Sequence, residues 1–92
     1  MKTTPGPWQA VPQDMDTGHK WFDIWSATYG SVAHISEEAR SDEGMQFFRG
    51  DAQLIGAAPD LLEALKAVVR IADRRTVEFD RARAAIAKAE GR

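Results

Sequence analysis

The 92-residue sequence predicts an α+β fold. A small antiparallel sheet of about three strands comes first, and two or three helices pack on one of its faces. Residues 7–36 hold short runs of aromatic and β-branched residues separated by turn residues, which is typical of strands. Residues 51–92 instead repeat apolar residues at three- and four-residue steps, as helices do. A chain of this length has room for one modest core, so we expect a single domain over residues 1–92.

The first elements follow from proline and glycine positions. Residues 1–6 contain Pro5 and Gly6 and are predicted to be a flexible arm. Trp8–Val11 is predicted to be a short first strand, which Pro12 ends because proline cannot donate a backbone hydrogen bond. A polar loop over residues 13–19 follows.

The strongest strand prediction is Lys20–Ala27. Its alternation places Phe22 and Ile24 on one face and Trp21 and Trp25 on the other. Both faces of this strand therefore carry large apolar side chains.

A hairpin and an acidic segment complete the N-terminal half. A turn at residues 29–31 leads into a third strand, Ser31–Ser36. Residues 37–50 are predicted to link the sheet to the helices. Within this linker, Met45–Phe48 is compatible with either an edge strand or the start of a helix.

The helical part, residues 51–92, is predicted to end in a helical hairpin. Asp51 is the predicted N-cap of a short helix through Ala57, and Pro59 ends or kinks that helix. The next helix runs from Pro59 to about Asp73, and Thr76 caps the last helix. One continuous helix from Pro59 to Glu90 is the alternative. The predicted buried stripe of the second helix consists of Leu61, Leu65, Val68 and Ala72.

Three segments resemble a loose group of short proteins encoded by phages and prophages. They are TPGPW at Thr4–Trp8, AQLIGAAPDLLEAL at Ala52–Leu65 and ARAAIAKA at Ala82–Ala89. The chain departs from the group at Gln53, where arginine is commoner, and at Gly56, where alanine is commoner. The resemblance implies a phage accessory protein without an established active site. It also implies a genetic context in which small proteins frequently inhibit bacterial defence systems.

Composition and spacing argue against an enzyme, a cofactor or a metal. The chain has no cysteine, and His19 and His34 share no motif. The loop with Asp14, Asp16 and His19 lacks the ligand number and glycine placement of a calcium site. No phosphate-binding glycine loop occurs. We therefore expect no enzymatic activity.

The sequence also indicates where the protein works. No apolar run approaches the roughly 18 residues that a membrane span needs, and the N-terminus does not resemble a secretory signal. We expect the cytoplasm of a bacterial host cell and no membrane partner.

Protein binding is the predicted function, and two features favour it. Trp21 and Trp25 would lie on the open side of the sheet as an interface, unless they and Trp8 pack on one another or under the N-terminal arm. An acidic stretch could occupy a basic, nucleic-acid-binding surface of a host or defence-system protein such as a CRISPR effector, unless it is only a solvated loop. That stretch consists of Glu37, Glu38, Asp42 and Glu43. A homodimer would also complete the burial of a small core.

Charge asymmetry supports a second hypothesis, nucleic-acid binding or regulation. Residues 1–60 hold four Lys/Arg and nine Asp/Glu, a net charge of −5, and residues 61–92 hold eight and five, a net charge of +3. The two values sum to the chain's −2. Acidic residues are interleaved with the arginines of residues 61–92, so ion pairs along a helical hairpin are the alternative to phosphate binding. The candidate phosphate-binding residues are Arg74, Arg75, Arg81 and Arg83.

Overall fold

The fold is α+β: a three-stranded antiparallel sheet is followed by one long and one C-terminal helix. The computed structural model describes residues 2–14, 18–72 and 75–92, with Ala39 described in its backbone only. The regular elements are β1 (Trp8–Asp14), β2 (Lys20–Ser26), β3 (Gly30–Ser36), two 3-10 turns (Glu37–Ala39 and Gly44–Phe47), α1 (Phe48–Ala72) and α2 (Val77–Ala89). Residues 15–17 of the predicted loop and residues 73–74 of the predicted break lie outside the described residues.

The chain divides into two compact units. The sheet unit is Thr4–Pro59, and the helical unit is Asp60–Arg92 together with Lys2 and Thr3. Helix α1 contributes its first part to the sheet unit and its second part to the helical unit. The single domain expected from the length stays a prediction.

The three strands pair in chain order, so β2 is central and β1 and β3 are edge strands. Ala10 and Ile24 face each other across the first pair, and Ile24 faces Ala33 across the second. The register shifts at Ile24/Trp25, where β2 and β3 form a bulge. Gly30 opens β3 with a φ of 86°, a left-handed conformation that glycine adopts without strain.

The predicted end of the first strand at Pro12 is wrong. Strand β1 continues to Asp14, and Pro12 pairs with Phe22. An edge strand has a neighbour on one side only, so alternate N–H groups have no ladder partner. A proline is tolerated at such a position.

The N-terminal residues, predicted to be a flexible arm, are hydrogen-bonded to the sheet at two points. Trp8 Nε1 donates to the Thr4 carbonyl at 3.1 Å, and Ser26 Oγ donates to the Pro5 carbonyl at 3.2 Å. Ser26 Oγ also accepts from the Tyr29 N–H at 3.3 Å, so this buried hydroxyl joins the arm, β2 and the following turn.

The core of the sheet unit lies between the sheet and the start of α1. Ile24 is fully buried, and Phe22, Phe48 and Ala52 form one buried cluster with Ala10 and Ile35 packed against it. The Phe22 and Phe48 rings meet edge to face, with centroids 5.1 Å apart. The prediction that Phe22 and Ile24 share one face is therefore confirmed, and this is the face that α1 covers.

Helix α1 packs close to β1 at Gly56. A Cβ on this residue would lie 3.2 Å from the Ala10 backbone nitrogen, so the helix approaches the strand backbone here. Glycine weakens a helix relative to alanine. At position 56 it permits this close packing of helix on strand.

Of the two outcomes predicted for Pro59, an end of the short helix or a kink in it, the end is wrong. Residues 48–72 form one helix with Pro59 inside it. A proline within a helix lacks one hydrogen bond and costs about 3 kcal/mol. Packing opposes that cost: a Cβ on Gly6 would lie only 2.7 Å from the Pro59 Cβ, so the proline ring packs directly against the Gly6 backbone. Leucine and alanine on both sides of Pro59 also favour the helix.

The boundary between linker and helix lies earlier than predicted. Met45 and Phe47 belong to a 3-10 turn, and Phe48 begins α1, so this stretch is helical rather than an edge strand. Asp51 is not an N-cap. It lies in the first turn of α1 and accepts a hydrogen bond from Arg40 at 2.8 Å.

The helical unit contains one confirmed and one wrong prediction. Thr76 caps α2, since its Oγ1 accepts from the Phe79 N–H at 3.3 Å. The predicted buried stripe of α1 is not buried throughout: Leu61 and Val68 are more than half exposed, and nearby Ile71 is 83% exposed. A two-helix hairpin covers only one side of each helix. Among the described residues, no helix is long and apolar enough to cross a membrane.

Candidate partner-binding face

The sheet face turned away from α1, here called the open face, carries both predicted tryptophans. Trp21 is partly buried and Trp25 is 46% exposed. Trp8 pairs with Ser26, which shares the covered face with Ile24, so Trp8 does not join them. The structure therefore brings Trp21 and Trp25 together on one face and separates them from the third tryptophan.

A ladder of aromatic rings runs across the open face. The Trp21 ring lies between His19 and His34, with ring centroids 5.4 Å and 5.7 Å away. His34 Nδ1 is 3.2 Å from Asp23 Oδ1. The His34 side chain is more than half exposed, because α1 covers the opposite face.

Sequence reasoning missed this ladder. It placed His19 in a loop, as a metal candidate beside Asp14 and Asp16. The available signal was strand pairing, which sets His34 opposite Asp23, two residues from Trp21. The described residues contain no group of three His, Cys, Asp or Glu side chains that could hold a metal ion. Asp16 lies outside those residues.

The acidic stretch divides into side chains with different surroundings. Glu38 Oε1 lies 3.4 Å from His19 Nδ1, and this contact extends the ladder into the acidic stretch. Glu37 Oε1 accepts from the Lys20 N–H at 3.0 Å, so Glu37 holds the start of β2. Asp42 and Glu43 are exposed between the two 3-10 turns.

A shallow cavity of about 270 Å³ completes the open face. Its lining residues are Val11, Gln13, Asp23 and Trp25. The cavity thus combines an apolar wall, an amide and a carboxylate beside an exposed indole. Such a recess can take one side chain of a partner.

Three of the four predicted phosphate-binding arginines lie within the described residues. Arg75 and Arg81 are exposed. Arg83 donates to Asp80 at 3.3 Å, one of the ion pairs that the sequence raised as the alternative. Arg74 lies outside the described residues.

A family model described as Salmonella phage P22 protein Y8K6 matches residues 1–92. The chain belongs to this family. The match covers the whole chain and agrees with the resemblance to short phage proteins of unknown function. No curated protein and no solved structure matches the chain. The Y8K6 family description attaches no chemistry to the open face.

Proposed function

We propose that this Y8K6-family protein is a non-enzymatic accessory protein that binds another protein through the open face of its sheet. Trp25 carries the proposal, since it is 46% exposed on the face turned away from the core. Tryptophan is among the commonest residues at interface hot spots, where it buries a large area at a small entropic cost.

The surroundings of Trp25 suit a binding face. Val11 and Trp25 form the apolar part of the 270 Å³ cavity, and Gln13 and Asp23 supply polar groups at its edge. Interfaces typically combine a central aromatic anchor with a polar rim. The ring contacts of Trp21 with His19 and His34 hold its indole in place before a partner binds.

The charges on and beside this face indicate a basic partner. Asp23 lies within the open face, where its carboxylate contacts His34. The Glu38 carboxylate lies at the edge of this face, in contact with His19. Exposed Asp42 and Glu43 follow in the same segment. Opposite charges speed encounter and fix orientation more than they raise affinity.

We propose further that the partner is a host or defence-system protein in the bacterial cytoplasm, such as a CRISPR effector. Its basic nucleic-acid-binding surface would be the complement of this face. Membership of a phage family supports this context. The acidic and aromatic character of the face supports the mechanism.

The test is a pull-down of the tagged protein from nuclease-treated bacterial lysate, in which Trp25→Ser is compared with the unchanged protein. We expect the unchanged protein to recover a stoichiometric protein partner, and Trp25→Ser to recover about tenfold less of it or lower still, as at a hot spot. Circular dichroism is the check that the variant is folded.

The matched control is Phe47→Ser, which removes an aromatic side chain that is 57% exposed but belongs to a 3-10 turn rather than the sheet. We expect it to keep the partner. Equal losses from both substitutions would contradict the open-face proposal. Lys substitutions at Glu38, Asp42 and Glu43 test the charge mechanism, while Glu37 is left unchanged because it holds the Lys20 N–H.

The exposed residues of α1 support a further proposal, a homodimer through the helical unit. Leu61, Val68 and Ile71 present apolar surface that a second hairpin would bury in a four-helix arrangement. Light scattering at micromolar concentration is expected to give twice the chain mass of 10.2 kDa. Val68→Asp is expected to return it to the monomer, and a monomeric unchanged protein would contradict the proposal.

A further inference from the structure

A groove between α1 and α2 in the helical unit has a cationic rim and an apolar floor. Its volume is about 420 Å³. Four basic side chains line it: Lys66, Arg70, Arg83 and Arg92. The floor includes Val69 and the buried Ile86. Among the described residues that line the groove, Glu90 is the only acidic one.

The groove already holds that carboxylate between two cations. Lys66 Nζ donates to Glu90 Oε2 at 3.1 Å, and Arg92 donates to Glu90 Oε1 at 2.7 Å. These hydrogen bonds lower the pKa of Glu90, and the hydrogen bond to Glu90 raises the pKa of Lys66. Both shifts have the same cause, an environment that favours an ionised carboxylate beside ammonium and guanidinium groups.

Positive charge remains after this pairing. Glu63 lies 3.7 Å from Lys66, and Asp80 lies 3.3 Å from Arg83. Counted with these two carboxylates, the charged groups described in and beside the groove are four cations and three anions, so a net charge of +1 remains. The helical segment 61–92 as a whole carries a net charge of +3.

We propose that this groove binds an acidic segment of a partner protein, whose aliphatic side chains lie on the floor and whose carboxylates reach the basic rim. The apolar floor favours a ligand with aliphatic side chains over a ligand of equal charge that has none. A phosphate backbone makes no apolar contact with Val69 and Ile86. Single-stranded nucleic acids are held by aromatic stacking, whereas none of the described lining residues is aromatic. An amphipathic acidic helix satisfies both parts, as in helix-in-groove recognition.

This inference is independent of the proposed function. The open face is acidic and belongs to the sheet unit, whereas the groove is basic and belongs to the helical unit. Trp25→Ser is therefore expected to leave groove binding unchanged. A failure of one proposal does not imply a failure of the other. Together they describe an adaptor with two sites of opposite charge.

Fluorescence anisotropy tests the groove with three labelled probes at low salt. The first is a 15-residue peptide of Leu and Glu at helical spacing, the second replaces each Glu with Gln, and the third is a 15-nucleotide oligothymidine. We expect the Leu/Glu peptide to bind about tenfold or more tightly than either other probe. Absence of binding by the Leu/Glu peptide, or tighter binding of oligothymidine, would overturn the proposal.

Three variants locate the binding. Arg70→Glu reverses a lining charge and is expected to weaken the Leu/Glu peptide about tenfold. Arg81→Glu makes the same change at an exposed residue of α2 that does not line the groove, and is expected to change affinity less than about twofold. Equal effects of the two would show attraction to net charge alone and would overturn the groove.

The third variant acts in the opposite direction. Glu90→Gln removes the carboxylate that Lys66 and Arg92 hold inside the groove, so we expect the Leu/Glu peptide to bind several-fold more tightly. An unchanged or weaker affinity in a folded Glu90→Gln protein would contradict the proposal. Because tightening cannot arise from misfolding, this variant separates a binding role from a structural one.

Discussion

Replacing Ile24 with alanine is expected to lower the free energy of unfolding of the sheet unit by about 2–5 kcal/mol. Ile24 is fully buried at the centre of the middle strand, between Ala10 and Ala33 of its neighbours. Small neighbours on both sides cannot extend into the cavity that the substitution leaves. Domains of this size have a stability of about 5–15 kcal/mol, so the loss is a large fraction of the total.

Urea unfolding followed by tryptophan fluorescence measures this effect, because all three tryptophans lie in the sheet unit. Leu54→Ala is the control: it removes an aliphatic side chain from the same unit, but one that is 62% exposed. We expect that change to stay within about 0.5 kcal/mol. An Ile24→Ala protein as stable as Leu54→Ala would show that the core lies elsewhere.

Replacing Gly56 with leucine is expected to lower the free energy of unfolding by about 1–3 kcal/mol or more. A Cβ at this position lies 3.2 Å from the Ala10 nitrogen and 3.5 Å from the Ala10 Cβ, and the rest of a leucine needs still more space. The nearest atom belongs to the backbone of a paired strand, so it cannot rotate away. Helix and strand must separate to admit the side chain.

Gly50→Leu provides a control with the opposite expected sign. Gly50 is also a glycine of α1 in the sheet unit, but a Cβ there meets nothing within 4 Å. Leucine favours a helix over glycine by up to about 1 kcal/mol, so we expect Gly50→Leu to be neutral or stabilising. Urea unfolding measures the free energy of unfolding of both variants. Destabilisation of equal size at both positions would mean that the close approach of α1 to β1 is not the reason why a larger side chain is unfavourable at residue 56.

The elements that sequence reasoning predicted well are those set by local chemistry. Alternation along β2 placed Phe22 and Ile24 together on one face, and Thr76 was identified as a cap because a hydroxyl before a helix satisfies its free N–H groups. The candidate site was predicted only in part. Trp21 and Trp25 are together on one face, as predicted. The acidic stretch was treated as one surface, although Glu37 accepts a hydrogen bond from the Lys20 backbone and Glu38 contacts His19 of the histidine–tryptophan ladder.

Residue types and their spacing were sufficient to predict the α+β class, the order of the elements, the placement of Trp21 and Trp25 on one face and the uneven charge along the chain. These properties depend on residue type and spacing within one segment. Tertiary structure decided the continuity of α1 through Pro59, the length of β1 beyond Pro12 and the groove around Glu90. Each depends on residues distant in sequence. The Gly6 backbone packs against Pro59, β1 tolerates Pro12 because it is an edge strand, and α2 brings Glu90 to Lys66. A local pattern records what a segment prefers, whereas packing determines which preference is overruled.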